Sequence, residues 1–126
     1  MKKVIHTTNA PAAIGPYSQA IEANGMLFIS GQIPVNPATG EVPEGITAQT
    51  QQVMANIAAI LKEADYSFDE VVKTTCLLSD IANFSAMNEV YAQSFTTNPP
   101  ARAAFAVRDL PKGVMVEIEV IAVKSK

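Results

Sequence analysis

The chain has 126 residues, a formal net charge of −3, and 17% charged residues against 48% apolar ones. This length predicts a single domain, residues 1–126, with a substantial core. A pI near 5.0 argues against binding to nucleic acid or to an anionic membrane surface. The N-terminal "MKKVIHTTNAP" lacks the apolar region of a signal peptide, and no apolar run approaches the roughly 18 residues of a membrane helix. We therefore expect a cytoplasmic protein.

Three short strands and a loop are predicted for the first part of the chain. The strands are "KVIHT" (3–7), "SQAIEA" (18–23) and "MLFIS" (26–30). The second and third flank Asn24-Gly25, a strong hairpin signal because both turn residues must adopt positive φ. The segment "IPVNPATGEVPEG" (33–45) is rich in proline and glycine and is therefore predicted to be a loop.

Two helices are predicted in the rest of the chain. The first covers Ile46 to Ala64, where apolar residues recur at helical spacing. The second would be capped by Asp80 or Asn83. Its apolar face would carry Phe84, Met87, Tyr91 and Phe95.

Three further strands are predicted, and together with the helices they define a fold class. Val71 to Leu78 has β-branched strand composition. The segments "ARAAFAV" (101–107) and "VMVEIEVIAV" (114–123) surround "RDLPKG", which predicts a hairpin between the last two strands. The order β, ββ, α, β, α, ββ predicts an α+β fold with two helices covering one face of one sheet.

The last strand is apolar on both of its faces, which has a consequence for assembly. One face is wholly apolar, and the other is interrupted only by Glu117 and Glu119. Two helices cannot cover both faces of the sheet, and an exposed apolar patch of that size usually marks an interface. We therefore predict an obligate oligomer.

Arg102 is the strongest candidate for chemistry because it lies in the otherwise small and apolar run "NPPARAAFAV". It could form a structural ion pair with Glu117 or Glu119. Alternatively, its planar fork could bind a carboxylate of a ligand in a bidentate manner. In an antiparallel pair of the last two strands, Arg102 shares a face with the glutamates only in one of the two registers, and charge pairing favours that register.

Several other polar residues are candidates for a site. Glu117 and Glu119 share one strand face; one of them is expected to be solvated, while a carboxylate near Arg102 could act as a general acid or base. Asn88 lies in the apolar stripe of the second helix, where its amide could bridge helix and sheet or contact a ligand. Tyr17 follows Gly15-Pro16 at a strand entrance. Ser30 precedes Gly31, where backbone can approach a ligand closely.

Metal and nucleophile chemistry has little support in the sequence. The one histidine, His6, is interpreted as a solvated residue near the N-terminus, and Cys76 as a small buried hydrophobe in mid-strand. One histidine and one cysteine do not make the usual zinc site. The chain also has no glycine-rich phosphate loop, and Ser30 is a poor nucleophile. The residues alone therefore predict a small-anion site without metal or cofactor.

Seven segments together resemble the RidA family, the YjgF-type reactive-intermediate deaminases, and within it the 2-iminobutanoate/2-iminopropanoate deaminases. They run in the family's order over essentially the whole chain, and "PAR" followed by "LPKG…VEIE" is specific. The segments are "NAPAAIGPYSQAI", "FISGQIPVNPATGEVP", the helix containing "ANIAAIL", "VVKTTCLLSD", "NEVYAQSF", "PPARAAFAV" and "LPKGVMVEIEVIAV".

The resemblance implies a chorismate-mutase-like fold, with one mixed sheet and two helices on one face. It also implies a homotrimer around a central β-barrel, with three sites between subunits and no cofactor. Arg102 matches the family's substrate-carboxylate arginine and Glu117 its active-site glutamate. Other positions that match the family's substrate site are Tyr17, Ser30, Gly31 and Asn88. Many bacterial members carry a cysteine two residues after the arginine; here that position is Ala104, so only its backbone could contact substrate.

The activity implied by the resemblance is hydrolysis of a 2-enamine or 2-imine of a small amino acid to a 2-keto acid and ammonia. Arg102 would hold the carboxylate, and Glu117 would hold the attacking water and return a proton to the amine. A rival interpretation is a trimer that senses a 2-keto acid and regulates a partner, since one arginine serves both functions. Ribonuclease activity, a third class, is disfavoured by the acidic pI.

Overall fold

The computed structural model describes residues 1–125, and within them two helices pack on a six-stranded sheet. Helix α1 covers Ile46–Glu63 and helix α2 covers Phe84–Ala92. The strands are β1 (Lys3–Ile5), β2 (Ala20–Ala23), β3 (Met26–Gln32), β4 (Val71–Leu78), β5 (Ala101–Ala106) and β6 (Val116–Val123). The predicted order of elements is confirmed. Asn24 and Gly25 both have positive φ, at 51° and 73°, as the predicted turn requires.

The sheet is mixed, with strand order β1-β2-β3-β6-β4-β5. Strand β6 lies between β3 and β4 and is antiparallel to both, so β3 and β4 run parallel to each other. Helix α1 connects β3 to β4. Strand β5 pairs with β4 in parallel, because α2 forms the crossover connection between them. The predicted hairpin between the last two strands is therefore wrong: β4 separates β5 from β6.

One face of the sheet forms the core under the two helices. The predicted apolar face of the last strand is confirmed, since Val116, Ile118 and Ala122 are fully buried. From α1, Ile57, Ile60 and Leu61 pack against this face. Helix α2 adds Met87 and Tyr91. Asp80 caps a short 3₁₀ turn directly before α2, where its side chain accepts a hydrogen bond from the backbone N–H of Ala82.

The opposite face of the sheet carries no helix and remains partly apolar. Phe28 and Phe105 are 41% and 47% exposed there. Phe28 lies in one row with Ile21 and Ile121 across three neighbouring strands. This open face also contains Glu117, because β6 alternates between the two sides of the sheet.

Candidate functional site

Arg102 projects from the edge strand β5 toward helix α2, where three side chains surround its guanidinium group. Its Nη1 donates a hydrogen bond of 2.7 Å to Oδ1 of Asn88. The guanidinium carbon lies 4.8 Å from the centre of the Tyr91 ring and 5.3 Å from that of Phe84. Both distances are within the range of cation–π attraction. Asn88 therefore holds one edge of the guanidinium group, and the rings of Tyr91 and Phe84 lie within cation–π distance of it.

A cavity of about 410 Å³ opens beside this arginine. Its lining comes from α2 and from the chain leading into β5: Asn88, Tyr91, Ala92, Phe95, Pro99, Pro100 and Arg102. Asn88 satisfies one guanidinium donor, so the remaining donors of the fork can bind another acceptor. We call this group of residues the arginine half-site; its chemistry suits a carboxylate.

Glu117 lies against Gly31 on the open face of the sheet. A β-carbon placed on Gly31 would lie only 2.9 Å from Cδ of Glu117, so the glutamate carboxyl group occupies the space that any other residue at position 31 would fill. A register shift between Ile29 and Gln32 places Gly31 in an irregularity of β3. The absence of a side chain at Gly31 therefore makes room for the Glu117 carboxyl group, while the close approach of a ligand to Gly31 stays a prediction.

The carboxyl group of Glu117 has an altered acidity. Partial burial raises its pKa above the usual range, and the negative charge of Glu119, two residues away on the same face, adds to the increase. Glu119 itself is exposed. The expectation that one of the two glutamates is solvated is therefore confirmed. A carboxylate with a raised pKa is a better proton acceptor, which suits Glu117 to acid–base chemistry.

Tyr17 and Gly31 line a cavity of about 500 Å³. Apolar residues of two loops, including Ile14, Ile33 and Val35, form much of its wall. Tyr17 is 54% exposed. Ser30, next to Gly31, uses its hydroxyl to donate a 2.6 Å hydrogen bond to the backbone oxygen of Ser18. We call Tyr17, Ser30, Gly31 and Glu117 the glutamate half-site.

The two half-sites lie on opposite faces of the sheet. Arg102 is level with Thr74 of β4, whose side chain points into the core. Glu117 is level with Leu77, which is an odd number of residues from Thr74 and so belongs to the other face. The register that would place Arg102 and Glu117 on one face is therefore wrong, and so is an ion pair between Arg102 and either glutamate within one chain. The predicted register assumed that β5 and β6 pair directly, but each of them pairs with β4, which lies between them.

Asn88 belongs to the arginine half-site, whereas Ala104 packs against the core and does not line its cavity. Asn88 bridges helix α2 to strand β5 through Arg102, as one of the two interpretations of this residue predicted. Ala104 is half-buried and is level with Cys76 on β4. Phe84 and Tyr91 were predicted only as core residues of α2, although they also contact the arginine. The spacing of Tyr91, one helical turn after Asn88, is the signal that could have identified it.

The other candidates, His6 and Cys76, do not line the cavity of either half-site. His6 is exposed on the chain after β1. Cys76 is fully buried, and this desolvation raises the pKa of its thiol to about 11, although the neighbouring Arg102 acts in the opposite direction. Among residues 1–125, no three His, Cys, Asp or Glu side chains gather as metal ligands would. Over the same residues, neither helix has the length and hydropathy needed to cross a bilayer.

The fold and the two half-sites define a class of small α+β protein with an arginine on one sheet face and a glutamate on the other. Residues 7–124 match the family described as endoribonuclease L-PSP. The chain belongs to this family, which is the RidA (YjgF-type) family that its motifs resemble.

Three relatives illustrate the range of names within the family. A RutC family protein of Pyrococcus horikoshii is 56% identical over 125 residues, 98% of this chain and 99% of the relative. AldR of Lactococcus lactis, named as a proposed regulator, is 57% identical over 95% of this chain and 96% of its own length. A goat (Capra hircus) protein named 2-iminobutanoate/2-iminopropanoate deaminase is 51% identical over 98% of this chain and 91% of its own length.

Solved structures show the same fold. The Rid-family protein YyfA of Yersinia pestis, of unknown function, has a TM-score of 0.95 at 54% identity and covers 98% of this chain and 99% of its own. E. coli TdcF with bound serine has a TM-score of 0.94 at 43% identity, again with 98% and 99% coverage.

Proposed function

We propose that the protein is a 2-iminobutanoate/2-iminopropanoate deaminase, which hydrolyses reactive 2-enamines and 2-imines such as 2-aminoacrylate to 2-keto acids and ammonia. The observation that carries this proposal is the pair of half-sites: a guanidinium with free donors in one, and a carboxyl group with a raised pKa in the other. A 2-imino acid needs both groups, one for its carboxylate and one for its reacting carbon. The name of the goat relative and the serine in TdcF support this substrate class.

The complete site would lie between two copies of the chain. Because Arg102 and Glu117 lie on opposite faces of one sheet, the arginine half-site of one subunit would meet the glutamate half-site of the next. Such a head-to-tail contact forms a ring when its rotation closes, and we propose a homotrimer with three sites, as the family resemblance implies. The same contact would cover the open sheet face that contains Phe28.

Substrate binding would begin with the carboxylate. The fork of Arg102 would accept it in a bidentate manner, since Asn88 uses only one of the guanidinium donors. This contact would place C2 of the imine near the glutamate half-site of the neighbouring subunit. Tyr17 and the backbone around Ser30 and Ala104 would line the remaining space around the substrate.

Hydrolysis would then proceed in two proton-balanced steps. A 2-enamine would take up a proton at C3 and so give the protonated imine. Glu117 would take a proton from a water molecule as the water oxygen forms its bond to C2 and the C=N electron pair moves to nitrogen, which leaves a neutral amine and a hydroxyl group on C2. Glu117 would give that proton to the amine; as the C2–N bond breaks and ammonia leaves, the C2 hydroxyl would lose its own proton to Glu117 and become the keto oxygen. Imines already hydrolyse in water, and positioning alone can lower a barrier by up to ~7–11 kcal/mol. The proposed reaction therefore needs no metal or cofactor.

A second candidate is a regulatory trimer that binds a 2-keto acid without turnover. The relative named as a proposed regulator favours it, and the arginine half-site would bind a keto acid as readily as an imino acid. The family description also includes endoribonuclease, but a net charge of −3 gives little attraction for a phosphate backbone.

A coupled assay separates these candidates. A PLP-dependent threonine dehydratase would generate 2-iminobutanoate in situ, and keto acid release would be followed with and without the protein. An acceleration that saturates with the imine supports the deaminase. Tight binding of 2-ketobutyrate without acceleration would instead support the regulatory trimer.

A further inference from the structure

We infer that Tyr91 is a positioning residue for the substrate carboxylate, acting through Arg102. The inference deepens the proposed function and rests on its assignment of Arg102 as the carboxylate ligand. The Tyr91 ring, fixed by a buried hydrogen bond to Thr74, forms a platform that holds the guanidinium fork in its binding orientation.

The platform is visible in the contacts of Arg102. The guanidinium carbon lies 4.8 Å from the centre of the Tyr91 ring, while Asn88 holds one edge through a 2.7 Å hydrogen bond. An arginine on an edge strand would otherwise sample many rotamers, and ordering it on binding would cost affinity. An edge contact and a ring contact together restrict the fork before substrate arrives.

The orientation of the ring is itself fixed from beneath. The hydroxyl groups of Tyr91 and Thr74 lie 2.8 Å apart, and both residues are almost completely buried. Thr74 is the residue of β4 that is level with Arg102. Thr74, which anchors the Tyr91 ring, and Arg102, which the ring supports, are therefore neighbours on the adjacent strands β4 and β5.

Core stability alone does not require this hydroxyl pair. A neutral hydrogen bond contributes little net stability, and replacing both partners by apolar groups of the same shape is often nearly neutral. Phenylalanine and valine would fill the same volume. The hydrogen bond between the two hydroxyl groups does fix the orientation of the Tyr91 ring next to the guanidinium group.

The test is a double-mutant cycle with 2-ketobutyrate as the probe, its binding measured by titration calorimetry and, for weak variants, by ligand-observed NMR. Tyr91→Leu keeps an apolar side chain but removes the ring, so we expect about 3- to 30-fold weaker binding, the size of a cation–π contact. In an Arg102→Ala background the same change should have no further effect. Tyr91→Phe, which keeps the ring but removes its hydrogen bond to Thr74, should weaken binding by less than Tyr91→Leu does, and only while Arg102 is present.

A matched control exists elsewhere in the chain. Tyr66 is also buried, and the amino group of Lys124 lies 4.5 Å from the centre of its ring. Tyr66→Leu removes a comparable ring–cation contact that belongs to neither half-site, so it should reduce thermal stability and leave 2-ketobutyrate binding unchanged.

Three results would overturn the inference: equal losses from Tyr91→Leu with and without Arg102, no loss from Tyr91→Leu in a folded protein, or no binding of 2-ketobutyrate by the unsubstituted protein. If Tyr91→Leu fails to fold, the comparison passes to Tyr91→Phe and to Thr74→Val, each of which should weaken binding when Arg102 is present and have no further effect in the Arg102→Ala background; no loss from either variant, or equal losses with and without Arg102, would overturn the inference. Because the readout is binding, a protein that couples Tyr91 to Arg102 but does not turn over imines would refute the deaminase and retain the platform.

Discussion

Arg102 is an unusual arginine because its surroundings are aromatic rather than acidic. Within residues 1–125 its side chain contacts Asn88, Phe84 and Tyr91, and no carboxylate lies within ion-pair distance. A cation in such a setting keeps its affinity for an external anion, because no internal carboxylate competes for it. This setting favours the ligand interpretation over the structural one.

The first prediction concerns the shape of that cation. Arg102→Ala should abolish measurable deamination, because the loss of a buried charge contact costs ~2–5 kcal/mol of binding. Arg102→Lys should rescue it poorly, since an ammonium cannot reproduce the planar fork. Arg108→Ala is the matched control: Arg108 is exposed, with Asp109 as its salt-bridge partner, and should retain full activity. The measurement is steady-state kinetics on an imine generated in situ; near-normal turnover by Arg102→Ala would make the residue structural.

The second prediction concerns Glu117. If Glu117 moves the proton, Glu117→Gln should lower kcat by ~10²–10⁴-fold, the usual contribution of general acid–base catalysis, with little rise in KM. Its folded pKa is raised, so the charged form is the less favoured one in the folded chain. The same substitution should therefore leave thermal stability at pH 7 unchanged or slightly higher.

The pH dependence gives an independent check on Glu117. As a base it must be ionised, so kcat/KM should fall as the pH drops through a value above the ordinary glutamate pKa of about 4.3. Glu119→Gln removes the neighbouring negative charge that adds to the increase, so the acidic limb should move to lower pH while kcat at pH 7 stays the same. An unmoved limb in Glu119→Gln, or unchanged kcat in Glu117→Gln, would remove Glu117 from the mechanism.

At the scale of elements, the sequence predicted what depends on local periodicity. Helix α1 and strand β4 appear within one residue of their predicted ends. The apolar residues of α1, such as Ile57 and Ile60, recur at helical spacing, and β4 has the β-branched composition of a strand. The pairing of strands was not predictable in the same way. The connection "RDLPKG" has hairpin composition, but the crossover through α2 places β5 on the far side of β4.

The residues proposed for the site could be singled out from the sequence, but their placement on the two sheet faces could not. Arg102, Asn88 and Glu117 were each singled out by their chemistry in an apolar context. Their relative placement depends on which sheet face each strand position occupies, and that follows from tertiary pairing rather than from local pattern. Tyr91 was missed as a contact of Arg102 because an aromatic residue on the core face of a helix is fully explained by packing.

The third prediction follows from the irregular part of β3. Gly31→Ala should displace the Glu117 carboxyl group, because the added β-carbon would lie within 2.9 Å of its Cδ. We expect kcat to fall about as far as in Glu117→Gln, while 2-ketobutyrate binding through Arg102 changes little. Gly40→Ala is a control for glycine replacement, since a β-carbon there meets nothing within 4 Å, although its φ of +77° carries some strain. A large loss of binding with normal kcat would instead indicate that Gly31 admits the ligand itself.

At the scale of the whole molecule, the open sheet face and the divided site point to the same contact. Phe28 and Phe105, on the same face of the sheet, remain more than a third exposed in the single chain, and large exposed apolar surfaces usually serve an interface. An assembly that covers this face with the next subunit would also bring a second chain to Glu117. Stability and catalysis would then depend on one interface, so conditions that separate the subunits should abolish activity before they unfold the chain.

The last prediction tests this division directly by mixing two inactive variants. Arg102→Ala chains keep Glu117, and Glu117→Gln chains keep Arg102. If each site takes one residue from each of two neighbouring subunits, random mixing in equal amounts gives a complete site about one time in four, so about a quarter of the unsubstituted activity should return. If both residues of a site came from one chain, every site would lack one of them and no activity would return.

The design of the mixing experiment decides its meaning. Subunits would be exchanged by denaturing and refolding the two variants together, and size exclusion would confirm the same oligomer in mixed and unmixed samples. Each single variant refolded alone gives the background activity. The double variant Arg102→Ala/Glu117→Gln, mixed in equal amounts with unsubstituted chains, gives the activity that a sample with one complete shared site in about four should show. Two opposite faces of one sheet cannot serve one substrate within a single chain, so recovery of activity is the expected result. Failure of properly mixed oligomers to recover any activity would show that the sites are not shared between subunits.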